Sequence, residues 1–329
     1  MTPDTHEHPW CVLLALPALL SCGSPPDEAG RASPPSRAPA AGAPVPLEVA
    51  ITVDDLPVHG PAARGVDRGA IATGLLEAFA AHRVAPVTGF VNGERVEKDP
   101  RTEAILRRWL AAGHPLGNHT WSHPSLNATA LPAYLADIER GEAILIELGA
   151  LGAWKPFRYP FLYEGDTPDK RDRVRSFLRR RGYTIAPVSI DADDWAYNPP
   201  YARCTELGDR IAAEKLVADF VAGHVDELHR VRDLTRELVG RDIKHVLLLH
   251  IGVADAAAID GLLTAYEREG VRWIDLPTAL ADPFYSLDTA EPVRYGAAAP
   301  YRLARERGVK APPPVFARDL EQRLAATCR

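Results

Sequence analysis

Leu47-Glu-Val-Ala-Ile-Thr-Val-Asp54-Asp55-Leu-Pro57 is the stretch on which the fold turns. Its first seven residues are apolar or β-branched apart from Glu48, which predicts a buried strand. The run ends on two adjacent carboxylates. Two neighbouring charges at a strand end are costly to bury unless cations or donors compensate them.

The same alternation continues outward from this strand. A helix is expected over about Asp67 to His82, a strand over Val84 to Val91, and a helix over Thr102 to Ala112. A short strand leads into Gly117-Asn-His119. Pro132 then opens a helix that runs to about Leu148, with proline in the first turn. Further strand-like segments fall at Pro156–Pro160, Tyr183–Ile190, His245–Ile251 and Val271–Ile274. About seven strands alternating with helices argue for βα units and a parallel sheet. At this length the expectation is an α/β fold, a closed or partly closed (β/α) barrel over residues 47–280, with chemistry at the C-terminal ends of its strands. Thr205 to Val239 is expected as a helical insertion, because Val221, Val225, Leu228, Val231, Leu234 and Leu238 share one face. Residues 281–329 are Pro-rich and are expected as an irregular extension packed on the barrel.

The chain has 329 residues, 46% apolar and 25% charged, with a net charge of −6. No basic face is implied, so nucleic acid is not an expected partner. Cys11, Cys22, Cys204 and Cys328 form no CxxC pair, which leaves a thiolate metal site without support. A bridge between Cys204 and Cys328 is compatible with the sequence but not derivable from it. Trp10 to Leu20 is an apolar run shorter than the roughly 20 residues a membrane span needs. It ends in Leu19-Leu20-Ser21-Cys22, which resembles the lipobox of bacterial lipoproteins, although Met1 to Pro9 holds no Lys or Arg. The expectation is a signal peptide over 1–22 with lipidation on Cys22, export, and a membrane-anchored protein of the cell envelope. Residues 23–46 read as a Pro/Ala-rich linker that could extend roughly 70 Å.

Candidate chemistry falls at five places. Asp54 and Asp55 end the first strand; alone, they could equally be a polar turn before Pro57. His119 and His123 stand at i and i+4, so one helical turn would aim both imidazoles the same way, as a metal site requires. Arg158, before Tyr159 and Pro160, could hold a carboxylate through charge-assisted hydrogen bonds. Asp191, Asp193 and Asp194 precede Trp195, and could offer a carboxylate beside an aromatic wall or simply a solvated turn. Leu247-Leu-Leu-His250 is an apolar strand ending in a residue suited to proton transfer near neutrality, or in a satisfied core histidine.

Taken in order, these segments resemble the five motifs of the polysaccharide deacetylase (NodB-homology, carbohydrate esterase family 4-like) family. Thr52-Val-Asp54-Asp55-Leu-Pro57 is similar to T-F-D-D-G-P, and His119-x-x-x-His123-Pro124 to H-[ST]-x-x-H-P. Arg158-x-Pro160-Phe161 is similar to R-x-P-Y, Asp191-x-x-Asp194-Trp195 to D-x-x-D-W, and Leu248-Leu-His250 to L-x-H. Leu56 replaces the usual glycine, an exchange expected to narrow or reshape the mouth of the site, and Phe161 replaces tyrosine.

The resemblance implies a distorted (β/α) barrel and a hydrolase that removes N-acetyl groups from a glycan. It implies that Asp55, His119 and His123 bind a divalent metal, zinc ahead of cobalt or nickel. It makes Asp54 the general base, Arg158 its orienting partner, His250 the general acid and Asp194 the tuner of His250. Trp195, Pro160 and Phe161 would touch the substrate, with a backbone N–H near Phe161 on the oxyanion. The same barrel also hosts O-acetyl esterases and hydrolases of small amides or formamides, and an inactive glycan-binding protein is a further alternative. No G-x-S-x-G elbow, dinucleotide fingerprint or P-loop occurs.

Overall fold

β1 (Leu47–Leu56) is buried along almost its whole length, on both faces. That is the environment of a central parallel strand, and it explains the unbroken apolar run. The computed structural model describes residues 46–287, 289, 296–311 and 317–329. The leader expected over 1–22, with Cys11 and Cys22, and all but the last residue of the expected linker lie outside the described residues.

The other strands are β2 (Thr88–Val91), β3 (Leu116–Asn118), β4 (Lys155–Phe157), β5 (Tyr183–Ile185), β6 (His245–His250) and β7 (Val271–Ile274). The helices are α1 (Arg68–Ala81), α2 (Gly93–Lys98), α3 (Glu103–Ala111), α4 (Leu131–Glu147), α5 (Pro168–Arg180) and α6 (Asn198–Leu207). There follow α7 (Arg210–Val239), α8 (Val253–Arg268), α9 (Leu276–Leu280), α10 (Ala299–Glu306) and α11 (Ala317–Ala325). Every strand pairing is parallel, in the order β5-β4-β3-β2-β1-β6, with β7 on the first half of β1. Ile190 bridges to Leu247, so the chain leaving β5 returns to β6 and the sheet curls into a distorted (β/α) barrel.

Proline explains where the strands fall short of expectation. The strand expected over Val84–Val91 begins only at Thr88, after Pro86, which has no N–H to offer a ladder. The strand expected over Tyr183–Ile190 stops at Ile185, before Pro187, and resumes as the bridge at Ile190. The helical stretch expected over Thr205–Val239 is likewise divided. Gly208, at φ 71°, ends α6 in the left-handed region that glycine tolerates. Asp209 then caps α7, accepting the Ala212 N–H at 3.0 Å. Leu228, Val231 and Leu234 of α7 share the main apolar cluster with Ile259, Leu262 and Leu263 of α8.

The C-terminal extension is less irregular than expected. Residues 299–306 and 317–325 avoid proline except at the first turn of α10 and are helical. Tyr301 donates to Glu227 of α7 at 2.7 Å, and Cys328 is disulfide-bonded to Cys204 of α6. Among the described residues, no helix is long and apolar enough to cross a membrane.

His245 opens β6 and is fully buried, its Nδ1 3.2 Å from Ser189 Oγ. Burial pushes its pKa down to about 4. An unfolded histidine takes its proton near pH 6.5, so below that pH the unfolded chain binds the extra proton. Stability should therefore fall as pH drops from about 6.5 to 4, by up to about 3 kcal/mol from this residue. Urea midpoints measured across that range should show a smaller acid loss in His245→Gln; an identical acid loss in the variant would refute the assignment.

Candidate active site

The ladder between β1 and β6 sets Asp54 level with His250 at the C-terminal edge of the sheet. One residue on, the β1–β2 register shifts and Asp55 adopts φ 63°. A carboxylate that regular pleating would send to the opposite face instead joins its neighbour's side. Such a backbone costs about 1–3 kcal/mol and persists where surrounding contacts over-determine it.

Asp54 is buried and faces Arg158, whose Nη1 lies 3.2 and 3.3 Å from its two oxygens. Arg158 follows β4. Its Nε donates to the Ala186 carbonyl at 2.5 Å and its Nη2 to Thr52 Oγ at 3.2 Å, while the guanidinium lies over the Phe90 ring. Each nitrogen of this buried cation therefore meets an acceptor, and one face of it meets an aromatic ring.

Asp55 divides its two oxygens. Oδ2 lies 2.6 Å from His59 Nδ1. Oδ1 is buried with no hydrogen-bond partner among the described residues, and faces His123 Nε2 at 3.4 Å and His119 Nε2 at 3.6 Å. Ligands at about 2.0–2.1 Å around a tetrahedral zinc stand about 3.3 Å apart, so one ion fits between these three atoms. His119 Nδ1 lies 2.9 Å from the Arg158 carbonyl and donates to it, which leaves the Nε2 lone pair for a metal. Burial pushes the His123 pKa down to about 3 and keeps that imidazole neutral, as a ligand must be. Burial would raise the Asp55 carboxyl, but the His59 hydrogen bond and three nearby imidazoles hold it well below the usual carboxylate range.

The two imidazoles do not meet on a helical turn, as their spacing suggested. Residues 119–123 form a loop in which Thr120 and His123 have φ of 67° and 58°. Asp137 of α4 closes that loop. Its Oδ2 accepts the N–H groups of Trp121 and Ser122 at 2.7 and 2.9 Å, and its Oδ1 accepts Ser122 Oγ–H at 2.6 Å. Asn118 supports the same turn, accepting the Thr120 N–H at 2.7 Å and donating to the Ile138 carbonyl at 3.0 Å.

On the other side, His250 is tied to Asp194 twice, backbone N–H to Oδ2 at 2.6 Å and Nδ1 to Oδ1 at 2.8 Å. Nε2 is thereby turned away from Asp194. Burial would lower the imidazole, but the Asp194 charge and hydrogen bond outweigh it and hold His250 well above its ordinary value. Asp255 of α8 sits behind Asp194, its carboxyl raised by burial and by the Asp194 charge, and accepts Asn198 Nδ2–H at 3.1 Å. Asp191 and Asp193 lie beside this pair, both raised by burial and by neighbouring carboxylates.

The remaining expected site residues are placed as follows. Phe161, at φ 57°, is 52% exposed and lays its ring 4.5 Å from the His123 ring. Pro160 is buried beside it, and Trp195 is half-buried against the main apolar cluster. Leu56 does not narrow the mouth of the site. It is fully buried, and its methyls fill the space in front of Gly89, where an added Cβ would come within 2.7 Å of them. His59, Asp137 and Asp255 escaped the sequence reading. Only His59 carried a signal, its position four residues after Asp55.

Residues 42–186 match the family model described as polysaccharide deacetylase. Over those residues the chain is similar to that family. A peptidoglycan-N-acetylglucosamine deacetylase of Bacillus cereus is 31% identical over 148 residues, 45% of this chain and 46% of that one. A chitooligosaccharide deacetylase of Rhizobium leguminosarum bv. trifolii is 42% identical over 123 residues, 37% of this chain and 52% of that one. The chain thus spans about half the length of these family members. Among solved structures, a mutant of the CE4 family pseudoenzyme BA3943 shares the fold at a TM-score of 0.50 and 16% identity, over 73% of this chain and 69% of that one. A fold shared with a pseudoenzyme says nothing of activity, so the family's chemistry rests on the site residues themselves.

Asp137→Ala should free the loop that carries both imidazoles. Amide exchange at Trp121 and Ser122 should accelerate, and divalent-metal affinity should fall about 10-fold or more. Unchanged exchange and affinity would show that the loop holds itself.

Proposed function

We propose that the protein is a metal-dependent deacetylase that hydrolyses N-acetyl groups on an aminosugar polymer or oligomer. The observation that carries this reading is the unpartnered Asp55 Oδ1 facing two imidazole nitrogens, with Asp54 next to it in the chain and His250 level with Asp54 on the neighbouring strand. The names of the relatives, on peptidoglycan N-acetylglucosamine and on chitooligosaccharide, support the substrate class.

Asp55, His119 and His123 would hold the ion, zinc being the natural occupant of a carboxylate and two imidazoles. Such an ion, when bound, lowers the pKa of water and polarises the acetyl carbonyl. Asp54 takes the proton of the attacking water, and Arg158 fixes its carboxylate in line. His250 carries its proton on the nitrogen turned away from Asp194 and delivers it to the departing amine, which leaves poorly unless protonated. Asp194 positions that ring and favours its protonated form. The backbone N–H at Phe161 would donate to the oxyanion, and Phe161, Pro160 and Trp195 would bound the substrate. Export and lipidation at Cys22 would place this chemistry at the cell envelope, where such polymers lie.

Asp54→Asn should retain the metal and lose about a hundredfold to ten-thousandfold in turnover, whereas His119→Ala should lose both metal and turnover. Metal analysis beside acetate release separates the two; a fully active Asp54→Asn would end the scheme. A panel of acetylated glycans, assayed for acetate with and without chelator, tests the reading as a whole. Acetate release that survives chelation would exclude the metal-dependent route, and release from O-acetylated xylan alone would make the enzyme an esterase.

A further inference from the structure

His59 belongs to none of the five motifs, yet it makes the shortest polar contact that Asp55 has, Nδ1 to Oδ2 at 2.6 Å. We infer that His59 is a positioning residue that occupies one oxygen of Asp55 and so presents the other, Oδ1, as a single-point ligand to the ion. This rests on the metal-dependent reading given above and deepens it.

Asp55, His59 and His250 also come close enough to group around an ion, but the distances favour positioning over ligation for His59. Two atoms on one tetrahedral zinc stand about 3.3 Å apart. Asp55 Oδ1 meets that spacing with His123 and His119, at 3.4 and 3.6 Å. His59 is too close to Oδ2 to share an ion with it, and 2.6 Å is instead the length of a charge-assisted hydrogen bond. A carboxylate can only accept, so Nδ1 carries the hydrogen. A hydrogen bond to one oxygen of a carboxylate favours single-point ligation through the other and fixes that oxygen in direction.

The chain secures His59 independently of the ion. Its N–H donates to the Ile251 carbonyl at 3.3 Å, one residue past His250. Arg68, the first residue of α1, grips the loop from outside, donating to the His59 carbonyl at 3.1 Å and to the Gly60 carbonyl at 2.8 Å. The His59 ring also lies 4.6 Å from the His250 ring, tilted by 43°. The same side chain that steadies Asp55 thus walls one side of the proposed proton donor.

The test compares His59→Ala with His59→Asn. The asparagine amide nitrogen stands the same number of bonds from the backbone as Nδ1 and can donate in its place. Zinc affinity is read by competition with a chromophoric chelator, alongside metal stoichiometry and the urea midpoint of the metal-free chain. His59→Ala should weaken zinc about 10- to 100-fold, the range seen when a ligand loses its supporting hydrogen bond. His59→Asn should recover most of that affinity, and the metal-free midpoints should show all three chains folded under the assay conditions. The inference is overturned if His59→Ala binds zinc as the parent does, or if asparagine rescues nothing. It is also overturned if the parent holds two ions and His59→Ala one, because His59 would then be a ligand. Wild-type binding abolished by His119→Ala but untouched by His59→Ala would remove this inference alone. A parent chain that binds no zinc would remove the metal reading, and the inference with it.

Discussion

A carboxylate that is buried, charged and only half satisfied governs the architecture of this site. Asp55 lies beneath the surface with one oxygen bonded to His59 and the other bare before two imidazoles. Such a group is unfavourable in a folded protein unless something cationic meets it. The backbone around it departs from regular geometry at several points. The Asp55 backbone leaves the β region, the His119–His123 loop bends through two left-handed residues, and α4 contributes Asp137 to hold that loop in place. Departures from easy backbone geometry thus gather where a functional demand exists to explain them.

The adjacent carboxylate is handled in the opposite way. Asp54 meets a guanidinium that is itself fully engaged, so its charge is matched within the protein. Two residues that are neighbours in sequence and alike in chemistry are therefore given different environments, one complete and one open to an ion. That asymmetry suits the proposed division, in which one would handle protons while the other served as a ligand. The His250–Asp194–Asp255 chain repeats the logic across the site. An imidazole held above its ordinary value rests on a carboxyl held below its own, which is backed by a carboxyl that burial and the Asp194 charge raise.

Much of this was legible in the chain. The alternation of apolar strands and helices fixed the fold class, because a parallel barrel needs strands buried on both faces and writes that need as unbroken apolar runs. Most residues of the candidate site were legible too, since they stand at or just past strand ends and carry a charge or imidazole where the pattern turns from apolar to polar. Strand ends were less legible. Pro86 and Pro187 lie inside runs whose composition reads as strand, and the loss of one N–H is a local fact that hydropathy does not register. Leu56 was misread for a related reason: whether a strand residue faces the mouth or the core depends on where the ladder breaks, and here the break came one residue before it.

The sequence by itself determined the class of fold and the inventory of reactive groups, because both follow from residue types at fixed spacings along one chain. Only the tertiary structure decided which oxygen of Asp55 faces the imidazoles, that His119 and His123 converge through a strained loop and not a helix, and that His59, Asp137 and Asp255 support the centre. Those are relations between side chains separated by up to two hundred positions, set by register, backbone twist and burial, and composition has no means of recording them.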